Sequence, residues 1–406
     1  MSPLQAAAVR VDITPGDLTG LNPMGGGTFT GVHDPIFGRV LYLSDGEREL
    51  VWLAVDLIEV GDMTGFRARL ETELGVPAAH VVITASHDHS APRLGDVSPG
   101  ALAHGGGPEQ KAYSLWVYDQ LVTAVSQAKE RLRPAKLGFD TGVVDVNINR
   151  DVPGDGRWEL GLNPERVSDK TVAVLRIEDE VGQVVAVWFS YGVHSTVTLW
   201  TGPISGDLAG AAARRVEAAL GGVALFAPGL LGDQAPRVLY EHASAAEKAD
   251  PEFAFRAADE QGAMLGDEVV RVAQSLDSLR GDMTIWAGDA VVACPSKPGE
   301  DVDPDMRQEA VATVDLRVSL FRLGGVSVFG FNGELVTAHG WTLRSSLPAP
   351  AVLVSLANDR IGYLADDEGF RLGTFEARGC PVPRGCLELT AARMLDDLVG
   401  RASNAL

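Results

Sequence analysis

The sequence predicts an α/β fold in which mixed β-sheets are flanked by helices. Two observations carry this: short runs rich in Val, Ile and Leu recur along the chain, and long stretches with Ala and Leu at helical spacing separate several of them. In chain order the runs are VLYLSD (40–45), LVWLAVDLIEV (50–60), HVVITASH (80–87), VAVLRIED (172–179), VVAVWFSYGVH (184–194), VALFAPG (223–229), SVFGFNGE (327–334) and AVLVSLAN (351–358). Each is too short for a helix and is bounded by Gly, Asp or Pro, as a buried strand is. Helices are expected over Thr64 to Leu74, Gln110 to Arg133, Asp207 to Leu220, Ala254 to Leu279 and Leu387 to Arg401, where breakers are few.

The 406 residues are 46% hydrophobic and 22% charged, which predicts a sizeable core rather than disorder. Net charge is −21, and no run of Lys and Arg could neutralise a phosphate backbone or an anionic bilayer. Nucleic acid and membrane surfaces are therefore excluded as expected partners, leaving a small-molecule substrate; the oligomeric state stays open. Cys294, Cys380 and Cys386 are too few for a disulfide framework and suit a reducing cytoplasm. The N-terminus shows no signal-peptide pattern, and no apolar run approaches a membrane span. The glycine stretches at 25–27 and 105–107 and the polar segment 296–309 read as surface loops, so residues 1–406 are expected to form a single domain.

Three of the eight histidines end apolar strands, where α/β sites collect: His87 and His89 in ITASHDHSAP, and His194 in SYGVHST. On extended chain a His-x-His pair sets both imidazoles on one side, about 6–7 Å apart, within reach of one metal or of a metal and its neighbour. Histidines satisfied by loop backbone are the alternative. Zinc also takes oxygen ligands, and Glu334 follows an apolar strand, where an unpartnered carboxylate is costly to desolvate. A carboxylate at a helix N-terminus is the other reading of Glu334. Asp56 inside LAVDLIEV supports the site or accepts backbone amides. Asp207 is expected to cap its helix, and His33, Asp34 and His339 to lie in loops.

The wording and order of these segments resemble the neutral ceramidase family of zinc-dependent non-lysosomal amidases. VDITP followed by Met24 and Gly25, then GVHDPIFGRVLYL, is similar to that family's opening, and ITASHDHSAP to its first histidine block. SYGVHST with ISGDLAG resembles the second histidine block. VNINRDV resembles its NR segment, FNGELVTAHGWTLR its glutamate segment, and SLANDRIGYLADDEGF with FEA its tyrosine segment. The resemblance implies that His87, His194, Glu334 and Tyr363 bind Zn2+, that His89 polarises the scissile carbonyl or its oxyanion, and that Arg150 binds substrate. It also places Asp233 in the catalytic block. As an alternative, Tyr363 is a strand-end aromatic packing under a loop.

The departures matter as much. The family's GDVSP block reads GDQAP here, so Ala235 stands where a hydroxyl is implicated in catalysis, and a serine nucleophile at that position is excluded. GDVSP at 95–99 falls out of the family's order, which makes Ser98 a loop residue. With the sequence ending at Leu406, the C-terminal immunoglobulin-like domain of larger ceramidases is not expected. The resulting expectation is zinc-dependent hydrolysis of an amide or ester in a small, weakly lipid or non-lipid substrate by activated water. A zinc-dependent cyclase, acyl-transfer enzyme or lyase, and a non-catalytic zinc-binding homologue, are the alternatives.

Overall fold

The computed structural model describes residues 3–24, 27–95, 107–297 and 311–405. Ser98, the loop glycines 25, 26, 105 and 106, and residues 298–309 of the polar segment lie outside them. All eight apolar runs contain strands, and Thr64–Leu74 and Asp207–Leu220 are helices with the expected bounds. The other three long helices run Pro108–Glu130, Phe253–Ser275 and Cys386–Ala405.

These elements stack in four layers. Helices Thr64–Leu74 and Pro108–Glu130 cover part of one face of an eight-stranded sheet, and Asp207–Leu220 with Phe253–Ser275 cover another part. The opposite face packs on a four-stranded sheet through residues such as Trp52, Trp188, Phe321 and Val328. Cys386–Ala405 covers the outer face of that second sheet. Each sheet thus buries both faces, which explains why its strands read as nearly continuous apolar runs rather than as alternating ones.

The eight-stranded sheet is antiparallel in its centre and parallel at both ends, where Glu49–Val55 pairs with Val81–Ala85 and Val184–Tyr191 with Val223–Pro228. It curls so that its two end strands, Val81–Ala85 and Val223–Pro228, lie against each other. Curling brings the segments after Val81–Ala85 and Val184–Tyr191 together, and an isolated parallel bridge joins Asp88 to Ser195. The His89 N–H donates to the Ser195 carbonyl at 3.0 Å, fixing the two histidine segments to each other.

Candidate metal centre

His87 sits two residues beyond Val81–Ala85 with φ of 60°, a left-handed conformation uncommon for a side-chain-bearing residue and typical of functional sites. Hydrogen bonds from the Ser86 N–H to Val55 and from the Asp88 N–H to Leu57 hold this turn. The pair is therefore not on extended chain, and the 6–7 Å spacing expected of a strand gives way to 3.2 Å between the Nε2 atoms of His87 and His89.

Backbone carbonyls set the tautomers. His87 Nδ1 lies 2.8 Å from the Ile58 oxygen and His194 Nδ1 lies 2.9 Å from the Gln234 oxygen. A carbonyl only accepts, so each Nδ1 carries a proton and each Nε2 is the ring nitrogen turned into the site, as in a metal-ligating histidine. Burial, then the nearby Arg150 guanidinium, pushes the His194 pKa down to about 3. Burial and the neighbouring His87 and His194 likewise hold His89 well below its ordinary value. His89 and His194 are neutral at pH 7.

Glu334 is fully buried and enters from a two-residue parallel pairing in which it lies opposite Tyr363. Gly232 makes room for it: a Cβ there would meet the Glu334 carbonyl oxygen at 2.8 Å. Burial opposes its charge, but His87 and Arg360 hold the carboxyl well below the usual range, so it is an anion. Oε1 accepts from Arg360 Nε at 2.9 Å. Oε2 lies 3.4 Å from His87 Nε2 and 3.3 Å from His194 Nε2, and has no hydrogen-bond partner among the described residues.

Zinc bonds of about 2.0–2.2 Å in tetrahedral array imply donor separations of about 3.3–3.6 Å, which the two Glu334 distances meet. Two imidazole nitrogens and one carboxylate oxygen thus converge on one buried point. The donor set fits zinc. The ligand-type atoms of His87, His89 and His194 also lie within 4.8 Å of one another, so three histidines border the same point.

Arg150 enters from Asn147–Pro153. Its Nε donates to Glu376 at 2.9 Å and its Nη2 to the Tyr363 hydroxyl at 3.1 Å, while Nη1 lies 3.0 Å from His194 Nε2. Burial disfavours its charge, but Tyr363, Glu376 and Glu334 together raise its pKa. Burial, then the Glu334 charge, pushes the Tyr363 phenol up to about 12, so it keeps its proton at neutral pH.

The other expected residues take different places. The Asp233 carboxylate accepts from the backbone and hydroxyl of Thr337 and from Asn149, so its contacts brace the start of helix Thr337–Ser345. Ala235 pairs with Ile148 and packs against Ile148 and Leu239 in a small apolar cluster. Asp207 is the first residue of its helix, not the cap; Gly206 holds that position, and the Asp207 side chain accepts from Thr198 and Leu208. His339 is buried within a helix, not in a loop, and pairs with the Leu364 carbonyl. His33 stacks on Phe255 and pairs with Asp34. Asp56 accepts from both Arg39 and the Phe37 amide.

Arg360 and Glu376 complete the site without having been singled out in the sequence. Glu376 is fully buried against Arg150, and Asp151 beside it is raised to about 9 by burial and then by the Glu376 charge.

The family profile described as "Neutral/alkaline non-lysosomal ceramidase, N-terminal" matches residues 8–254, more than half of the chain. The chain belongs to that family. The match spans His87, His89, Arg150, His194 and Asp233, while Glu334 and Tyr363 lie beyond it. Neutral ceramidase from Pseudomonas aeruginosa superposes with a TM-score of 0.77 at 17% identity, over 100% of this chain and 75% of that one. A ceramidase complexed with C2 also superposes at 0.77, with 16% identity, over 100% and 76%. At these identities the likeness establishes the fold. No curated relative matches. The chain thus has the ceramidase-family hydrolase fold and a three-histidine cluster able to hold a metal ion.

Proposed function

We propose that this chain, as one catalytic unit over 1–406, is a zinc-dependent hydrolase that cleaves an amide or ester bond in a small substrate of little or no lipid character. The observation that carries the reading is the convergence of His87 Nε2, His194 Nε2 and Glu334 Oε2, the last without a hydrogen-bond partner among the described residues. His87, His194 and Glu334 would hold the metal, with Tyr363 opposite Glu334 at its edge. A zinc there supplies Lewis acidity toward a carbonyl and toward water.

The remaining work falls to the protein's own groups. His89, neutral and partly accessible, is placed to polarise the carbonyl and to donate to the developing oxyanion once its Nε2 carries a proton. His194 Nε2 cannot give its lone pair to a metal and to Arg150 at once. With that lone pair engaged, the Arg150 Nη1 hydrogen turns to a substrate oxygen, while Glu376 and Tyr363 keep the guanidinium in place. Asp233 acts at one remove, anchoring the segment whose Gln234 carbonyl orients His194. With Ala235 in an apolar cluster, water rather than a protein hydroxyl is the nucleophile in this reading.

A surface of net charge −21 argues against docking on anionic lipid, and among the described residues no helix is long and apolar enough to cross a membrane. The free thiols Cys294, Cys380 and Cys386 suit the cytoplasm, where we place the protein. The test is a panel of short-chain amides and esters turned over in isotopically labelled water. Incorporation of one solvent oxygen into the acid product supports hydrolysis. Product without solvent oxygen assigns cyclisation or acyl transfer instead, and no turnover with zinc bound favours a binding homologue.

A further inference from the structure

We propose that the Glu59–Arg360 ion pair is a positioning device for the metal-ligand carboxylate: Arg360 fixes Glu334 Oε1 so that Oε2 faces the histidines, and Glu59 fixes Arg360. The inference rests on the reading of Glu334 as a ligand. The two oxygens of this fully buried carboxylate have opposite environments. Oε1 is occupied by Arg360 Nε at 2.9 Å, whereas Oε2 has no hydrogen-bond partner among the described residues and lies 3.4 and 3.3 Å from the Nε2 atoms of His87 and His194. Without Arg360 the carboxylate could rotate about its terminal bond, a broad two-fold torsion, and the oxygen facing the histidines would no longer be fixed.

Arg360 is itself held from its other side. Its Nη1 lies 3.0 Å from Glu59 Oε2, and Glu59 Oε1 lies 3.4 Å from Arg93. Glu59 is buried and its backbone carbonyl accepts from the Leu94 N–H, so the chain of contacts ends on fixed backbone. Ile58, whose carbonyl orients His87, precedes Glu59 directly. One short segment, Ile58–Glu59, therefore orients two of the three donors, one through a carbonyl and one through a charge pair.

Charge alone works against orientation. A lone Arg360 cation would repel a metal ion, and its removal would strengthen binding; the Glu59 anion cancels most of that field. Removing both groups therefore leaves the net charge unchanged and isolates orientation.

The experiment uses the full-length protein stripped by a chelator, with zinc affinity read by competition against a chromophoric chelator and cobalt(II) absorption reporting ligand geometry. The pair variant Glu59→Gln/Arg360→Gln should bind zinc about 10–100-fold more weakly, the usual effect of removing a group that orients a ligand, with an altered cobalt spectrum. Arg360→Lys, which keeps the charge but not the two-pronged bridge, should recover part of the loss and covers the case of a pair variant that does not fold. Zinc affinity within about twofold of the parent in the folded variant, whatever its Tm, overturns the proposal. Glu334→Gln separates the two ideas. If it abolishes zinc while the Arg360 variants keep it, the positioning claim alone fails; if it keeps full affinity, the ligand reading fails and this inference with it.

Discussion

Glu334 Oε2 lies 3.3 Å from His194 Nε2, and neither atom carries a proton, because the His194 proton is committed to the Gln234 carbonyl and the carboxyl is held ionised. Two acceptors at that distance in a buried site, with the Arg150 Nη1 3.0 Å from the same His194 nitrogen, form a place where a metal ion fits only if it takes that lone pair from Arg150. The functional account follows from that relationship.

His89 should separate metal binding from turnover. His89→Ala is expected to keep zinc and to lose about 10²–10³-fold in kcat, the range for removing one group that stabilises an oxyanion. Loss of zinc in this variant, measured by elemental analysis, would instead make His89 a ligand, as its place in the three-histidine cluster also allows.

Acid should weaken the metal-free fold through His194. Its pKa is about 3 when folded, against about 6.5 when unfolded, so between these values the unfolded chain binds the extra proton. The contribution to stability is fully present above pH 6.5 and is lost as pH falls toward 3. Thermal unfolding of the metal-free parent between pH 7 and 4 should show a steeper fall in Tm than His194→Gln does; equal slopes would contradict the assignment.

Asp233→Ala should act on the fold. The change strips acceptors from Thr337 and Asn149 in a buried place, which costs about 1–3 kcal/mol per unsatisfied group. Urea unfolding should show the loss. A variant with parent stability and no activity would make Asp233 a direct participant in the chemistry.

Ala235→Ser should not raise activity. The added hydroxyl would enter the cluster of Ile148 and Leu239, where an unpaired polar group costs about 1–3 kcal/mol. A gain in kcat from this substitution would show that the block retains a use for a serine.

Much of this was legible in the sequence, for identifiable reasons. Thr64–Leu74 and Asp207–Leu220 show their bounds through composition and flanking glycine, and the apolar strands show themselves because both sheet faces are covered. Strands such as Ile285–Pro295 and Thr313–Leu323 did not, since Gly288 and Asp289 break the first and Asp315, Arg317, Ser319 and Arg322 the second, so neither reads as a continuous apolar run. His87, His194 and Glu334 stood out as polar residues ending apolar runs. Arg360 and Glu376 did not, because their meaning lies in partners 26 and 226 residues away, which no local pattern displays. The turn at His87 was hidden too, since nothing in ITASHDHSAP marks a positive φ on a histidine.

The most direct test of the central claim is bound metal, measured by elemental analysis on protein purified without chelators, beside His87→Ala and His194→Ala. The account predicts about one zinc per chain in the parent and loss of it in both variants. Full zinc content in His87→Ala, or none in the parent after reconstitution, would contradict it.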